Sequence, residues 1–233
     1  MNLRKENPPS VVLINGSPHE NGNTARAIAE IEAALHDEGV LTKRIWIGKM
    51  ARGGCIACGG CKKDGKCIFD DVACDIADAL ESSDGIIIAS PVYYASPNGS
   101  LIGILDRVFH SSKFDKWMKV GASVAVARRG GTSTTFDVIN KYFTISEMPV
   151  VSSVYWNQIH GASIGDADED LEGLQTLRVL GRNTAYLVKC IRLGSEQLSR
   201  PTVEDKIRTS FVRYPIMLMS REKSKTQAAP SHL

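Results

Sequence analysis

Short apolar runs alternate with amphipathic helical segments along this chain, and that alternation restricts its fold more than any other feature. Val11-Val12-Leu13-Ile14 is a β-branched run of the kind buried on both faces of a parallel sheet. Val40–Ile47, Gly85–Ala89, Ala122–Ala127 and Met148–Val154 follow as further predicted strands. Between the first two, Ala25–Asp37 puts Ala27, Ile28, Ile31, Ala34 and Leu35 on one helical face, and Gly39 supplies the stop. Asp70–Ser83, Leu101–His110, Thr135–Thr144 and Leu171–Leu193 carry the same helical period. Five strands alternating with helices predict an α/β fold: a doubly wound five-stranded parallel sheet with helices on both faces. In such a sheet, ligands bind at the carboxyl ends of the strands.

A chain of 233 residues, 43% apolar and 23% charged, can bury one sizeable core. The expected domain runs over 11–200. A polar N-terminal tail, 1–10, precedes it, and a partly flexible extension, 201–233, follows, where the apolar pattern weakens. A formal charge of +2 favours neither a nucleic-acid groove nor an anionic membrane surface, which leaves small-molecule chemistry. No apolar signal core opens the sequence and no stretch is long enough to span a bilayer, so the expected location is cytoplasmic.

The first predicted strand feeds its helix through Asn15-Gly16-Ser17-Pro18-His19-Glu20-Asn21-Gly22-Asn23-Thr24. Free N–H groups and the positive end of the helix dipole face such a turn, which makes it a place for an anion. Ser17, Asn23 and Thr24 add side-chain donors suited to a phosphate monoester. His19 either joins them or is a solvated turn residue, and a plain helix cap by Asn23 or Thr24 is the simpler alternative for those two. The turn has neither the Gly-Lys-Ser/Thr ending of a nucleoside triphosphate loop nor the Gly-x-Gly-x-x-Gly of a dinucleotide loop. A mononucleotide suits it better.

Four of the six cysteines, Cys55, Cys58, Cys61 and Cys67, fall in one glycine-rich segment, 53–67. In a reducing compartment this clustering reads as metal-binding or redox-active rather than as a disulfide framework. Soft thiolates converging from a flexible loop suit a four-iron four-sulfur cluster, although five residues rather than three precede the last cysteine and Ile68 rather than proline follows it, unlike the bacterial ferredoxin run. Zinc and unmetallated thiols are the alternatives. Cys74 and Cys190 read as small apolar residues on helix faces.

After the third strand, Ala89-Ser90-Pro91-Val92-Tyr93-Tyr94-Ala95-Ser96-Pro97-Asn98-Gly99, together with Leu105-Asp106-Arg107 and the phosphate turn, resembles the NAD(P)H-dependent FMN reductase family. Within that flavodoxin-like superfamily the cysteine spacing is most similar to the iron-sulfur flavoproteins. The resemblance covers about residues 11–192. It implies FMN, with Ser17, Asn23 and Thr24 around its phosphate and Pro91, Val92, Tyr93 and Tyr94 along its ring. It also implies NAD(P)H as cosubstrate, and a homodimer or homotetramer in which neighbouring chains complete the pocket. Ala127, Arg128, Arg129, Gly130 and Gly131 follow the fourth strand on the same ligand edge and are expected to close the ring site. Trp156 either stacks on a ligand ring or packs in an interface.

The expected function is thus an FMN oxidoreductase serving a small-molecule donor and acceptor, with a protein redox partner also admitted. A flavodoxin-like electron carrier without its own substrate, and a zinc-stabilised binding module, are the competing readings. No side chain is required as an acid or base, because the flavin is the reactive centre.

Overall fold

The computed structural model describes residues 7–207 and Thr209. The strands are β1 (Ser10–Asn15), β2 (Leu41–Trp46), β3 (Gly85–Tyr93), β4 (Ser96–Pro97), β5 (Val120–Ala127) and β6 (Gln158–His160). The helices are α1 (Asn23–Asp37), α2 (Cys61–Asp64), α3 (Val72–Ser82), α4 (Gly99–Ser111), α5 (Thr132–Thr144) and α6 (Leu171–Gln197). A 3-10 turn at Asp166–Asp168 precedes α6.

β2, β1, β3, β5 and β6 lie side by side in that order, all parallel. The chain moves outward from β1 to β2 and then crosses back to β3 on the other side of β1, so the crevice between the carboxyl ends of β1 and β3 is the switch point of this flavodoxin-like order. The central strands are largely apolar because both faces are covered. Val11, Leu13, Ile87, Ala89, Val124 and Val126 pack under α1 and α6. Val12, Ile14, Ile86 and Ile88 pack under α3, α4 and α5. Alternate residues of one strand thus serve opposite cores, as the two-residue side-chain period requires.

Six strands replace the expected five. The additional one is β4, a two-residue strand antiparallel to β3. The last parallel strand is also displaced: Met148–Val154 makes only an isolated bridge, Gly121 to Val150, and the pairing with Ala125–Ala127 is made by Gln158–His160. Only the fully buried Ile159 marks that strand as apolar, so its short polar sequence conceals it.

Ser10 rather than Val11 begins the sheet. The compact unit extends to Leu198, and the residues described beyond it are exposed and without regular structure. Most of the expected extension 201–233 lies outside the described residues. No helix among the described residues is long and apolar enough to cross a membrane.

Glu30 on α1 accepts hydrogen bonds from Arg26 (2.8 Å) and from Arg178 of α6 (2.5 Å), joining the two helices of one face. Burial raises the Glu30 carboxyl, but the bonds and charges of Arg178 and Arg26 outweigh it and hold the group below its usual 4.5. A carboxyl lowered by folding stabilises the native state above its unfolded value and loses that contribution as pH falls through the folded one. Glu30→Gln should therefore unfold at lower denaturant than the wild type at neutral pH, with the two midpoints converging below about pH 4. Midpoints that stay parallel across that range would contradict this role.

Candidate functional site

The turn after β1 is organised by its own side chains. Asn15 Oδ1 accepts the Ser17 N–H (3.0 Å), and Asn15 Nδ2 donates to the carbonyl of Glu20 (3.0 Å). Ser17 Oγ accepts the His19 N–H (3.0 Å), while Trp46 Nε1 donates to the Ser17 carbonyl (2.7 Å). The chain then enters α1 through Gly22, an N-cap residue in extended conformation with no side-chain cap. The first-turn amides are thereby left without an internal side-chain partner, at the positive end of a fifteen-residue helix.

Two crossings fix this turn to the switch point. Gly16 N–H donates to the Ala89 carbonyl (2.8 Å), and Asn98 Nδ2 donates to the Gly16 carbonyl (2.8 Å). A Cβ on Gly16 would fall 2.5 Å from Leu101 Cδ2 and 2.7 Å from the Ala89 oxygen, so only glycine allows the approach.

Ser17 and Thr24 are buried at this turn, and His19 is exposed on it. The Asn23 side chain also reaches across to a distant loop. Its Nδ2 donates to the Ser163 carbonyl (2.9 Å), and its Oδ1 accepts from Gly165 (3.3 Å) and Ala167 (3.4 Å). The side chain therefore ties the 161–168 loop to the start of α1. The partners lie some 140 residues away in sequence, so nothing local signals this use.

Pro91, Val92, Tyr93 and Tyr94 lie at the end of β3, and Val92 and Tyr93 pair with Pro97 and Ser96 in a hairpin. Both residues of its two-residue turn, Tyr94 (φ 50°) and Ala95 (φ 55°), are left-handed. Such turns normally take Asn-Gly, and non-glycine residues held there mark backbone that the surroundings over-determine. Tyr94 projects fully into solvent and Tyr93 is 42% exposed.

The loop after β5 reaches the same place. Ala127 is buried, Arg128, Arg129 and Gly130 are exposed, and Gly131 (φ 89°) lies so close to the hairpin that its Cβ would stand 2.6 Å from Ala95 Cα. Ala127 also accepts the Gly161 N–H (2.9 Å). Trp156 is exposed and stacks obliquely on Tyr155, with ring centroids 5.1 Å apart. The phosphate turn, the hairpin and the 127–131 loop thus gather at the carboxyl ends of β1, β3 and β5.

The cysteine segment docks on α4, the helix whose N-cap Asn98 secures the phosphate turn. Arg52 N–H donates to Ser100 Oγ (3.4 Å), and Gly103 lets the chain at Gly54 pass against the helix. Beyond that crossing Cys55, Cys58, Cys61 and Cys67 border one pocket, together with Ile56, Ile68 and Phe69. Ala57, Gly59 and Gly65 turn the chain through left-handed conformations, and the Ala57 N–H donates to Cys55 Sγ (3.4 Å). Among the described residues no three His, Cys, Asp or Glu side chains converge closely enough for a single metal ion. The four thiols thus share the lining of one largely apolar pocket.

Sequence reading did not assign Asp71 or Arg107. Asp71 caps α3 by accepting the Ala73 N–H (3.0 Å) and receives both arms of Arg107 at 3.0 and 2.9 Å. Burial raises the Asp71 carboxyl, but those bonds and the charges of Arg107 and Arg52 hold it below its usual value. Cys74 lies close by, its thiol donating to the carbonyl of Phe69 (3.5 Å), and burial pushes that thiol up.

Comparison with known proteins agrees with this geometry. The family described as NADPH-dependent FMN reductase matches residues 9–162. An iron-sulfur flavoprotein of Methanocaldococcus jannaschii is 37% identical over 191 residues, spanning 78% of this chain and 98% of that protein. Among solved structures, RosB with bound 8-demethyl-8-formylriboflavin-5′-phosphate superposes with a TM-score of 0.62 at 12% identity, covering 96% of this chain and all of that one. A WrbA-like flavodoxin from Agrobacterium tumefaciens gives a TM-score of 0.54 at 17% identity, over 79% of this chain and 99% of that one.

Proposed function

Because the chain belongs to the NADPH-dependent FMN reductase family and, within it, to the iron-sulfur flavoproteins, we propose that this flavin-based oxidoreductase draws electrons from NAD(P)H. It passes them to a small-molecule or protein acceptor, and Cys55, Cys58, Cys61 and Cys67 would hold a [4Fe–4S] cluster supplying one-electron chemistry. One observation carries the reading: α4 secures the phosphate turn at its N-cap and borders the four-cysteine pocket with Arg107 and His110. Nine residues of helix separate Asn98 from Arg107, about 13.5 Å at 1.5 Å per residue. A single rigid element therefore fixes both sites relative to each other.

The uncapped amides of α1, with the hydroxyls of Ser17 and Thr24, hold the FMN phosphate. His19 stands exposed beside it. The main chain at Pro91–Tyr94 and at Ala127–Gly131 meets the polar edges of the ring, and Tyr93 shields it from water. Arg128 and Arg129, exposed on the same edge, offer cationic partners to the phosphates of a pyridine nucleotide. FMN held there would supply both two-electron and one-electron redox chemistry. The exposed Tyr94, Tyr155 and Trp156 on this edge support a homodimer or homotetramer in which a second copy covers the ring. The expected setting is cytoplasmic, away from membrane and nucleic acid.

Anaerobic turnover tests the donor. FMN-loaded protein should oxidise NADPH or NADH in the presence of a quinone, and flavin-stripped protein should not. Flavin that stays oxidised in excess of both nucleotides would exclude the pyridine nucleotide as donor.

A further inference from the structure

We propose that Arg107 sets the reduction potential of the centre on the four cysteines, by holding a buried positive charge against Cys67. The inference rests on the cluster reading above. Arg107 is 2% exposed, borders the same pocket as the cysteines, and places a terminal nitrogen 3.9 Å from Cys67 Sγ. Its guanidinium lies 5.5 Å from the centre of the Phe69 ring, which helps exclude water.

Capping α3 does not account for this arrangement. Asp71 performs the cap, and one carboxylate faces two guanidinium groups, Arg107 at 2.9 Å and Arg52 at 3.8 Å, which leaves one positive charge in excess. The Nε atoms of both arginines are buried without a hydrogen-bond partner. Buried orphan donors are costly and call for a reason. A negatively charged centre beside Cys67 supplies one, because an excess cation in a poorly screened site is then compensated.

Reduction adds one electron to such a centre, taken from the reductant, with no bond made or broken. The added negative charge is stabilised by Arg107 and opposed by Asp71. The two residues should therefore shift the potential in opposite directions, which a purely structural role would not produce.

The test is a mediated redox titration of anaerobically purified holoprotein, read by electron paramagnetic resonance of the reduced cluster. Iron, acid-labile sulfide and FMN are measured in every sample. Arg107→Met should lower the midpoint by at least about 59 mV, a tenfold change in a one-electron equilibrium. Asp71→Asn should raise it, Arg107→Lys should fall between Arg107→Met and wild type, and the double variant Arg107→Met/Asp71→Asn should return towards wild type. Should Arg107→Met fail to fold, the rise in Asp71→Asn and the intermediate value of Arg107→Lys carry the test. Cluster-bearing variants that all keep the wild-type midpoint, or Arg107→Met and Asp71→Asn moving it the same way, overturn the inference alone. Wild-type protein with FMN but no iron or sulfide overturns the cluster reading and this inference with it.

Discussion

Replacing Cys58 with serine is expected to strip iron and acid-labile sulfide from the anaerobically isolated protein while leaving its FMN content unchanged. Serine is a harder and far less acidic ligand than cysteine, so the loop loses one of the soft anionic donors that a cluster requires. The effect should stay local. Cys58 is exposed, on a segment bordering a pocket distinct from the phosphate turn, and a surface substitution of this kind shifts the stability of the metal-free fold by no more than about 0.5 kcal/mol. Iron and sulfide analysis with flavin extraction gives both answers from one sample. Unchanged iron in the serine variant would remove Cys58 from the ligand set.

The second large effect is expected at Gly16. Alanine there would bring a methyl group to 2.5 Å from the buried Leu101 side chain and 2.7 Å from the Ala89 oxygen. The leucine is fully buried, and the oxygen belongs to backbone already accepting the Gly16 N–H. The turn must therefore lift off β3, disturbing the Asn98 bond to the Gly16 carbonyl as well. Overpacking of this kind costs about 1–3 kcal/mol. Because the phosphate amides lie on the displaced segment, FMN affinity should fall at least about tenfold, equivalent to 1.4 kcal/mol. Fluorescence titration of flavin-stripped Gly16→Ala protein measures this, with circular dichroism showing that the fold persists. Wild-type affinity in the variant would show that the crossing at Gly16 does not shape the site.

The central sheet was legible because its physics is local. Val11–Ile14, Gly85–Ala89 and Ala122–Ala127 are buried on both faces and therefore read as near-continuous apolar runs, interrupted only by Ser123. The position of the turn between β1 and α1 and the grouping of the four cysteines around one pocket were legible for the same reason, being confined to short segments. What escaped was set by distant partners. Gln158–His160 becomes a strand only through its register with Ala125–Ala127, and Asn23 serves a loop near Ser163. The Tyr94–Ala95 turn lacks the Asn-Gly that would announce a hairpin, although both residues are left-handed and lie close to Gly131 of a distant loop. Arg107 binds Asp71 across 36 residues, and the aspartate alone reads as an ordinary helix cap.

The central claim is that FMN is held chiefly through its phosphate at the uncapped start of α1. Calorimetric titration of flavin-stripped protein with FMN and with riboflavin, which lacks only the phosphate, tests it most directly. Two or more charge-assisted hydrogen bonds at about 1.5–3 kcal/mol each should make FMN bind at least about a hundredfold more tightly. Equal affinity for the two flavins would contradict the account.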